Sequence, residues 1–375
     1  MSVPKLRFKE FNDEWCKDKI NDLIELNPKN PSLPDKFIYI DLESVSNGIL
    51  LQKKIINKND APSRAQRNVK INDILYQTVR PYQKNNLFID KLNDLPYIAS
   101  TGYAILREKN IYQKFLFNKL HTNNFVNEVL DNCTGTSYPA INSNDLGNIK
   151  ISYPKNVKEQ KKIGDFLSLL DKKIELQSKK IEDLKLFKKG LLYNEKRNNN
   201  SWNEYKISDI MNIARGTVIP KTEISECLNN EFRYPVYSSQ TSNNGILGYD
   251  NKYDFNGKFL TWTTDGANAG KIFYREGKFR CTNVCGILYN KDNRYVSELT
   301  AELLNIETPK YVSYVGNPKL MNNVMSNIII KLPDPSRDHF FSSILKIINK
   351  KLTIEEEKLD KLFELKKGLM QNMLV

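Results

Sequence analysis

The sequence predicts an α+β protein: two domains of mixed α/β structure joined by two long helices that form an antiparallel coiled coil, with pseudo-twofold symmetry. Three observations carry this: the chain repeats itself at half its length, each copy ends in a heptad seam, and short β-like runs fill the space before each seam.

The repeat is plainest in Leu186-Phe187-Lys188-Lys189-Gly190-Leu191-Leu192, which returns 178 residues later as Glu364-Leu365-Lys366-Lys367-Gly368-Leu369-Met370 in a chain of 375. Upstream, Tyr138-Pro139-Ala140-Ile141-Asn142 with Leu146, Asn148, Ile149, Ile151 and Pro154 matches Asn317-Pro318-Lys319-Leu320-Met321 with Met325, Asn327, Ile328, Ile330 and Pro333 at a constant offset of 179. The starts agree too, Trp15-Cys16-Lys17-Asp18-Lys19-Ile20 with Trp202-Asn203-Glu204-Tyr205-Lys206-Ile207. Two copies at so long a period exclude a solenoid. The landmarks divide the chain into a first domain over 1–157, a helix over 158–197, a second domain over 198–335 and a helix over 336–375.

In the first helix Ile163, Leu167, Leu170, Ile174, Gln177, Ile181, Leu184, Lys188 and Leu191 alternate in steps of four and three. In the second, Phe341, Leu345, Ile348, Leu352, Glu355, Leu359, Leu362, Lys366 and Leu369 do the same, and the polar interruptions coincide. This is the coiled-coil period, and pairing of the two seams places the domains at opposite ends. Helices of roughly 30 to 35 residues span about 45 to 50 Å, somewhat more than the roughly 34 Å of one B-DNA turn.

Between the helices, runs such as Ile74–Val79 and Phe259–Thr263 read as strands, and Gly102–Leu106 and Cys285–Tyr289 occupy equivalent places. The loops diverge: Arg64-Ala65-Gln66-Arg67-Asn68 has no counterpart in the second half, nor Tyr237-Ser238-Ser239-Gln240-Thr241-Ser242-Asn243-Asn244-Gly245 in the first. A shared scaffold with different loops suits two readers of different sequences.

A net charge of +13 points to a polyanionic partner. Arg forks onto guanine, Gln and Asn onto adenine, and Lys, Ser, Thr and Tyr commonly hold phosphates. Candidate DNA contacts in the first domain are therefore Arg64, Arg67, Gln77, Arg80, Tyr82, Lys84, Thr136, Ser137 and Tyr138. In the second they are Arg215, Ser239, Gln240, Thr241, Asn243, Thr263, Asp265, Lys271, Arg275 and Lys319.

No run approaches the roughly 20 apolar residues of a membrane span, and the chain opens without a secretory signal, so a cytoplasmic location is expected. Cys16, Cys133, Cys227, Cys281 and Cys285 suggest neither a disulfide framework nor a metal site. Phosphate-loop, dinucleotide and H-E-x-x-H signatures are missing. Asn27-Pro28-Lys29 lacks the second proline and aromatic residue of the amino-methyltransferase motif. No catalytic role, metal or cofactor is expected of this chain.

These residues resemble the DNA specificity subunits of type I restriction-modification systems over essentially the whole chain. The resemblance rests on Glu159-Gln160-Lys161-Lys162-Ile163, Leu170-Asp171-Lys172-Lys173-Ile174, Lys188-Lys189-Gly190-Leu191-Leu192, Trp15, Trp202 and Thr136-Ser137-Tyr138-Pro139. The second half departs at Arg337-Asp338 and at Val315-Gly316-Asn317-Pro318. The resemblance implies two target-recognition domains that read a split, asymmetric duplex site. It also implies two docked methyltransferase subunits that bind S-adenosylmethionine, and restriction subunits that use ATP and Mg. Lys172, Lys173, Lys179 and Lys180 would then face partners as plausibly as DNA. A modification-only or fused system, and a coiled-coil adaptor, are the alternatives.

Overall fold

The structure is a computed structural model that describes residues 3–29, 32–46, 48–92, 94–135, 137–197, 202–290 and 294–374. It divides into two units, one formed by 1–178 with 357–375 and the other by 179–356. The expected division placed a whole helix after each domain. Instead each unit takes part of both helices, because its core needs apolar residues from both.

In the first unit, strand Trp15–Lys19 pairs antiparallel with Lys150–Pro154, and the Ile20 N–H donates to the Ile149 carbonyl at 3.0 Å. One four-stranded sheet runs Lys54–Asn57, Lys36–Ile40, Tyr97–Ser100, Ala65–Val69; another runs Ile24–Leu26, Tyr103–Glu108, Ile74–Gln77, Leu87–Phe88. The central strands of the second sheet are buried on both faces, so their side chains serve two cores alternately. Ile74, Tyr76, Ala104 and Leu106 pack with Trp15, Phe115 and Leu167, while Leu75, Tyr103 and Ile105 pack with Ile38, Ile40 and Tyr97. Met373 and Leu374, from the end of the second long helix, complete the first of these cores. Gly164 lets the first long helix approach helix Gln113–Lys119 closely, since a Cβ there would lie 2.6 Å from the Phe115 backbone nitrogen.

In the second unit the ladder recurs as Asn203–Lys206 with Ile329–Leu332, and Ile207 N–H donates to Ile328 O at 3.0 Å. A six-stranded sheet follows in the order Met211–Arg215, Cys285–Asn290, Phe255–Thr263, Ile272–Cys281, Tyr234–Tyr237, Ile246–Asp250. One face joins Leu260, Trp262 and Leu288 to Trp202, Leu304, Leu345 and Leu192, the last from the end of the first long helix. The other face holds Phe279, Cys281, Cys285 and Ile287, and all five cysteines are free thiols.

The long helices, Val157–Arg197 and Pro335–Met373, contain 41 and 39 residues, about 60 Å each at 1.5 Å per residue. They run beyond the heptad seams because each continues into both cores. Ile163, Leu167, Leu170, Ile174, Ile181, Leu345, Ile348, Leu352 and Glu355 are buried, and Gln177, Leu184, Leu191, Phe341, Leu359, Leu362 and Leu369 are half-buried. In the first unit Lys366 bonds Asp171. In the second, Lys180 meets buried Glu355 at 3.0 Å, Lys185 meets Glu356 at 2.7 Å, and Lys188 reaches Glu302 at 2.8 Å and Asn349 at 3.0 Å. From 185 to 188 on one helix the partners fall from 356 to 349 on the other, so the pair is antiparallel. The seam lysines are thus satisfied at the edge of the apolar stripe, as expected for long side chains that bury their stems.

Candidate nucleic-acid interface

The two units share a backbone frame that only the 179-residue offset hinted at. In the first, Thr134 and Ala140 exchange backbone bonds of 2.9 and 3.0 Å. Ile141 N–H donates to Thr78 O at 3.0 Å and Arg80 N–H to Pro139 O at 2.7 Å. In the second, Ser313 and Lys319 exchange two bonds of 2.9 Å, Leu320 N–H donates to Thr264 O and Gly266 N–H to Pro318 O, both at 2.9 Å. The Thr78 and Thr264 hydroxyls then donate to Gly102 O at 2.9 Å and Val284 O at 3.0 Å. These two threonines, missed from sequence, anchor this frame in each unit; they stand 186 residues apart rather than 179, so the constant offset of the repeat does not align them.

On this frame the side chains differ. In the first unit the Arg80 guanidinium lies 4.2 Å from the centre of the Tyr138 ring, and Tyr138 is 65% exposed. Arg80 itself sits at φ 53°, a strained left-handed position of the kind that collects at functional sites. Ser137, Tyr82 and Arg64 are exposed, and Arg64 O accepts from Thr101 N–H, one residue from the Gly102 that anchors Thr78. Arg64, Arg80, Ser137 and Tyr138 therefore belong to one rim. Thr136 lies outside the described residues.

In the second unit Asp265 gathers the rim. It accepts from Arg215 Nη2 at 3.4 Å, lies 2.6 Å from Thr264 Oγ1, for whose single proton it and Val284 O are alternative acceptors, and Lys319 Nζ stands 4.0 Å away. Two cations share one carboxylate, which leaves the rim positive. Ser238 adjoins it, since Thr282 Oγ1 donates to Ser238 Oγ at 2.9 Å and Thr282 to Val284 form the neighbouring turn. From Ser238 springs the loop with Ser239, Gln240, Thr241 and Asn243; Asn243 is exposed, and Gln240 Nε2 is bonded to Ile246 O.

Several expected contacts are interior groups instead. Gln77 is buried, with its backbone N–H on Asn86 Oδ1, its Nε2 on Gln83 and its Oε1 accepting from Asn85 N–H, so it ties a turn together. Lys84 spends its charge on His121 O and Asn123 Oδ1 at 3.1 and 2.9 Å. Arg67 is half-buried on its strand, and burial lowers its pKa. Thr263 is buried in the central strand, and Arg275 is only 3% exposed. Lys271 is exposed but stands by the helical side, where desolvation, Lys188 and Lys185 lower its pKa against the pull of Glu302. Gln77, Arg67, Thr263 and Arg275 shared the turn-rich composition of the rim, but their places on paired strands turn them inward.

The family model described as the type I restriction modification DNA specificity domain matches residues 12–186 and again 199–364. A putative type I specificity subunit N-terminus of Mycoplasma pneumoniae is 46% identical over 125 residues, 33% of this chain and 65% of the relative. A putative type I specificity subunit of the same organism is 41% identical over 39% of this chain and 39% of its own length. Another is 35% identical over 50% of this chain and 78% of its length. The crystal structure of a type I restriction-modification S subunit from M. genitalium superposes with a TM-score of 0.72 at 17% identity, covering 100% of this chain and 99% of that one. The chain thus spans under two thirds of the length of the first two of these relatives.

Proposed function

The chain belongs to the type I restriction-modification DNA specificity family, and from that premise we propose that it reads a bipartite, asymmetric duplex DNA site, one half-target per unit. The single observation that carries this reading is the rim: one hydrogen-bonded frame, built twice, with Arg80, Ser137 and Tyr138 on one copy and Arg215, Asp265 and Lys319 on the other. Equal frames with unequal donors and acceptors are what recognition of two different half-targets requires. The net charge of +13 supplies the sequence-independent attraction to phosphates.

The chain does no chemistry itself on this reading; it positions subunits that do. Two methyltransferase subunits bring S-adenosylmethionine, and restriction subunits bring ATP and Mg. Support for paired partners comes from the helices. Outside the buried seam, Phe166, Leu169 and Leu176 form an exposed apolar stripe in the first unit, and Phe340, Ile347 and Ile354 form one in the second. Leu169 and Ile347, and Leu176 and Ile354, are equivalent in the repeat, at the same 178-residue offset. Exposed apolar patches of this kind mark interaction sites, and equivalent stripes suit two copies of one partner.

Mapping modified bases across the host genome with this gene intact and deleted tests the reading. Loss of methylation at one two-part, asymmetric motif is expected; an unchanged methylome in an expressing host overturns it and favours an adaptor role.

A further inference from the structure

Arg275 sits beneath the loop 238–246 rather than on it. Its guanidinium carbon lies 3.6 Å from the centre of the Tyr237 ring and 4.4 Å from that of Phe273, and its Nε donates to Thr261 Oγ1 at 3.2 Å. Above it the loop turns through Asn243, Asn244 and Gly245 at φ 48°, 50° and 79°. A Cβ on Gly245 would fall 2.8 Å from Arg275 Nη2, so the arginine and the glycine are fitted to each other. The loop closes through Ser238 N–H to Gly245 O at 3.0 Å and the Gln240 amide to Ile246 O.

Burying a cation is costly unless it is paired. Among the described residues the groups whose charges bear on this guanidinium are Tyr237, Cys281 and Cys285, none of them a carboxylate. Arg275 is therefore not explained by an ion pair. What remains is its shape: a flat, five-donor plane that stacks on rings and supports backbone, which lysine cannot reproduce.

We propose that Arg275 is a positioning residue for recognition of the second unit's half-target, holding the 238–246 loop so that Gln240, Thr241 and Asn243 present a fixed pattern to the bases. This rests on the specificity reading above. It replaces a direct base contact for Arg275 with an indirect one through Tyr237 and Gly245.

The test uses the full chain assembled with its methyltransferase subunits, and compares wild type, R275K and G245A on duplexes carrying single base changes in either half-target. The expected result is an approximately tenfold or greater fall in discrimination at the second half-target, with the first half-target read as before. The log-log salt slope stays unchanged, because no phosphate contact is lost. Wild-type discrimination in both variants overturns the proposal. So does a salt slope reduced by about 0.9 with a uniform loss across sequences, the mark of a phosphate contact. If R275K also melts the second unit, G245A decides, since it keeps the arginine while its methyl group, at a left-handed φ of 79° and 2.8 Å from Arg275 Nη2, disturbs the loop it supports. A wild-type complex without sequence selectivity would refute the specificity reading itself rather than the role of Arg275.

Discussion

Replacing Met373 and Leu374 with alanine should unfold the first unit and leave the second standing. Both residues are almost fully buried and belong to the cluster of Trp15, Phe115 and Leu167, more than 200 positions away in sequence. Each large-to-small change in such a core costs about 2–5 kcal/mol, and adjacent sites do not add fully, so the pair should cost about 4–8 kcal/mol. That rivals the roughly 5–15 kcal/mol that holds a domain folded. Hydrogen exchange read by mass spectrometry resolves the outcome. Amides in Ile74–Gln77 and Tyr103–Glu108 should lose protection, while those in Phe255–Thr263 and Glu298–Glu307 keep theirs. Unchanged protection in the first unit, or equal loss in both, would refute the assignment of the C-terminal turn to the first unit's core.

Three further outcomes are expected. Gly164→Ala pushes a methyl group against the Phe115 backbone and should cost about 1–3 kcal/mol by overpacking, seen as a lower melting temperature of the first unit alone. Burial would raise the Asp250 carboxyl, but its bonds from Arg280 and the Lys252 N–H hold it below the usual carboxylate range. A carboxyl lowered in the folded state stabilises above its unfolded pKa, and that contribution is lost as pH falls through the folded value; thermal melts from pH 7 down to pH 2 should show Asp250→Asn flattening the acid limb of the second unit. Leu169→Asp with Ile347→Asp should leave the chain folded by circular dichroism, since both side chains are about two-thirds exposed, yet abolish co-purification of methyltransferase subunits.

The repeat made much of the fold legible. Ile149 and Ile328, offset by 179, close the same hydrogen bond in both units, and on the heptad steps Ile163, Leu167, Leu170, Ile174, Ile181, Leu345, Ile348 and Leu352 are buried while the remaining seam positions are half-buried or, at Glu355, buried but polar. What composition hid was direction. Gln77, Thr263 and Arg275 stand in polar, turn-rich stretches like those of Arg80 or Asp265, but pairing of their strands with neighbours turns them inward. The stacking of Arg80 on Tyr138 joins residues 58 positions apart through a backbone bridge that no local pattern announces. The destination of the helix ends was hidden for the same reason: Met373 and Leu192 end periodic helices, and nothing in that periodicity says which distant core will receive them.

Because residues 179–356 form a continuous unit inside a discontinuous one, synthesis and folding run in opposite orders. The first unit is begun first but cannot close its core until the chain beyond Glu357 has been made. At about 5–20 residues per second that wait is roughly 10 to 40 s. The second unit, with all its parts in one stretch, has time to fold within that interval. A nascent chain halted before Glu357 would carry the later half finished and the earlier half with Trp15 and Phe115 incompletely covered, and there a chaperone would be expected to bind.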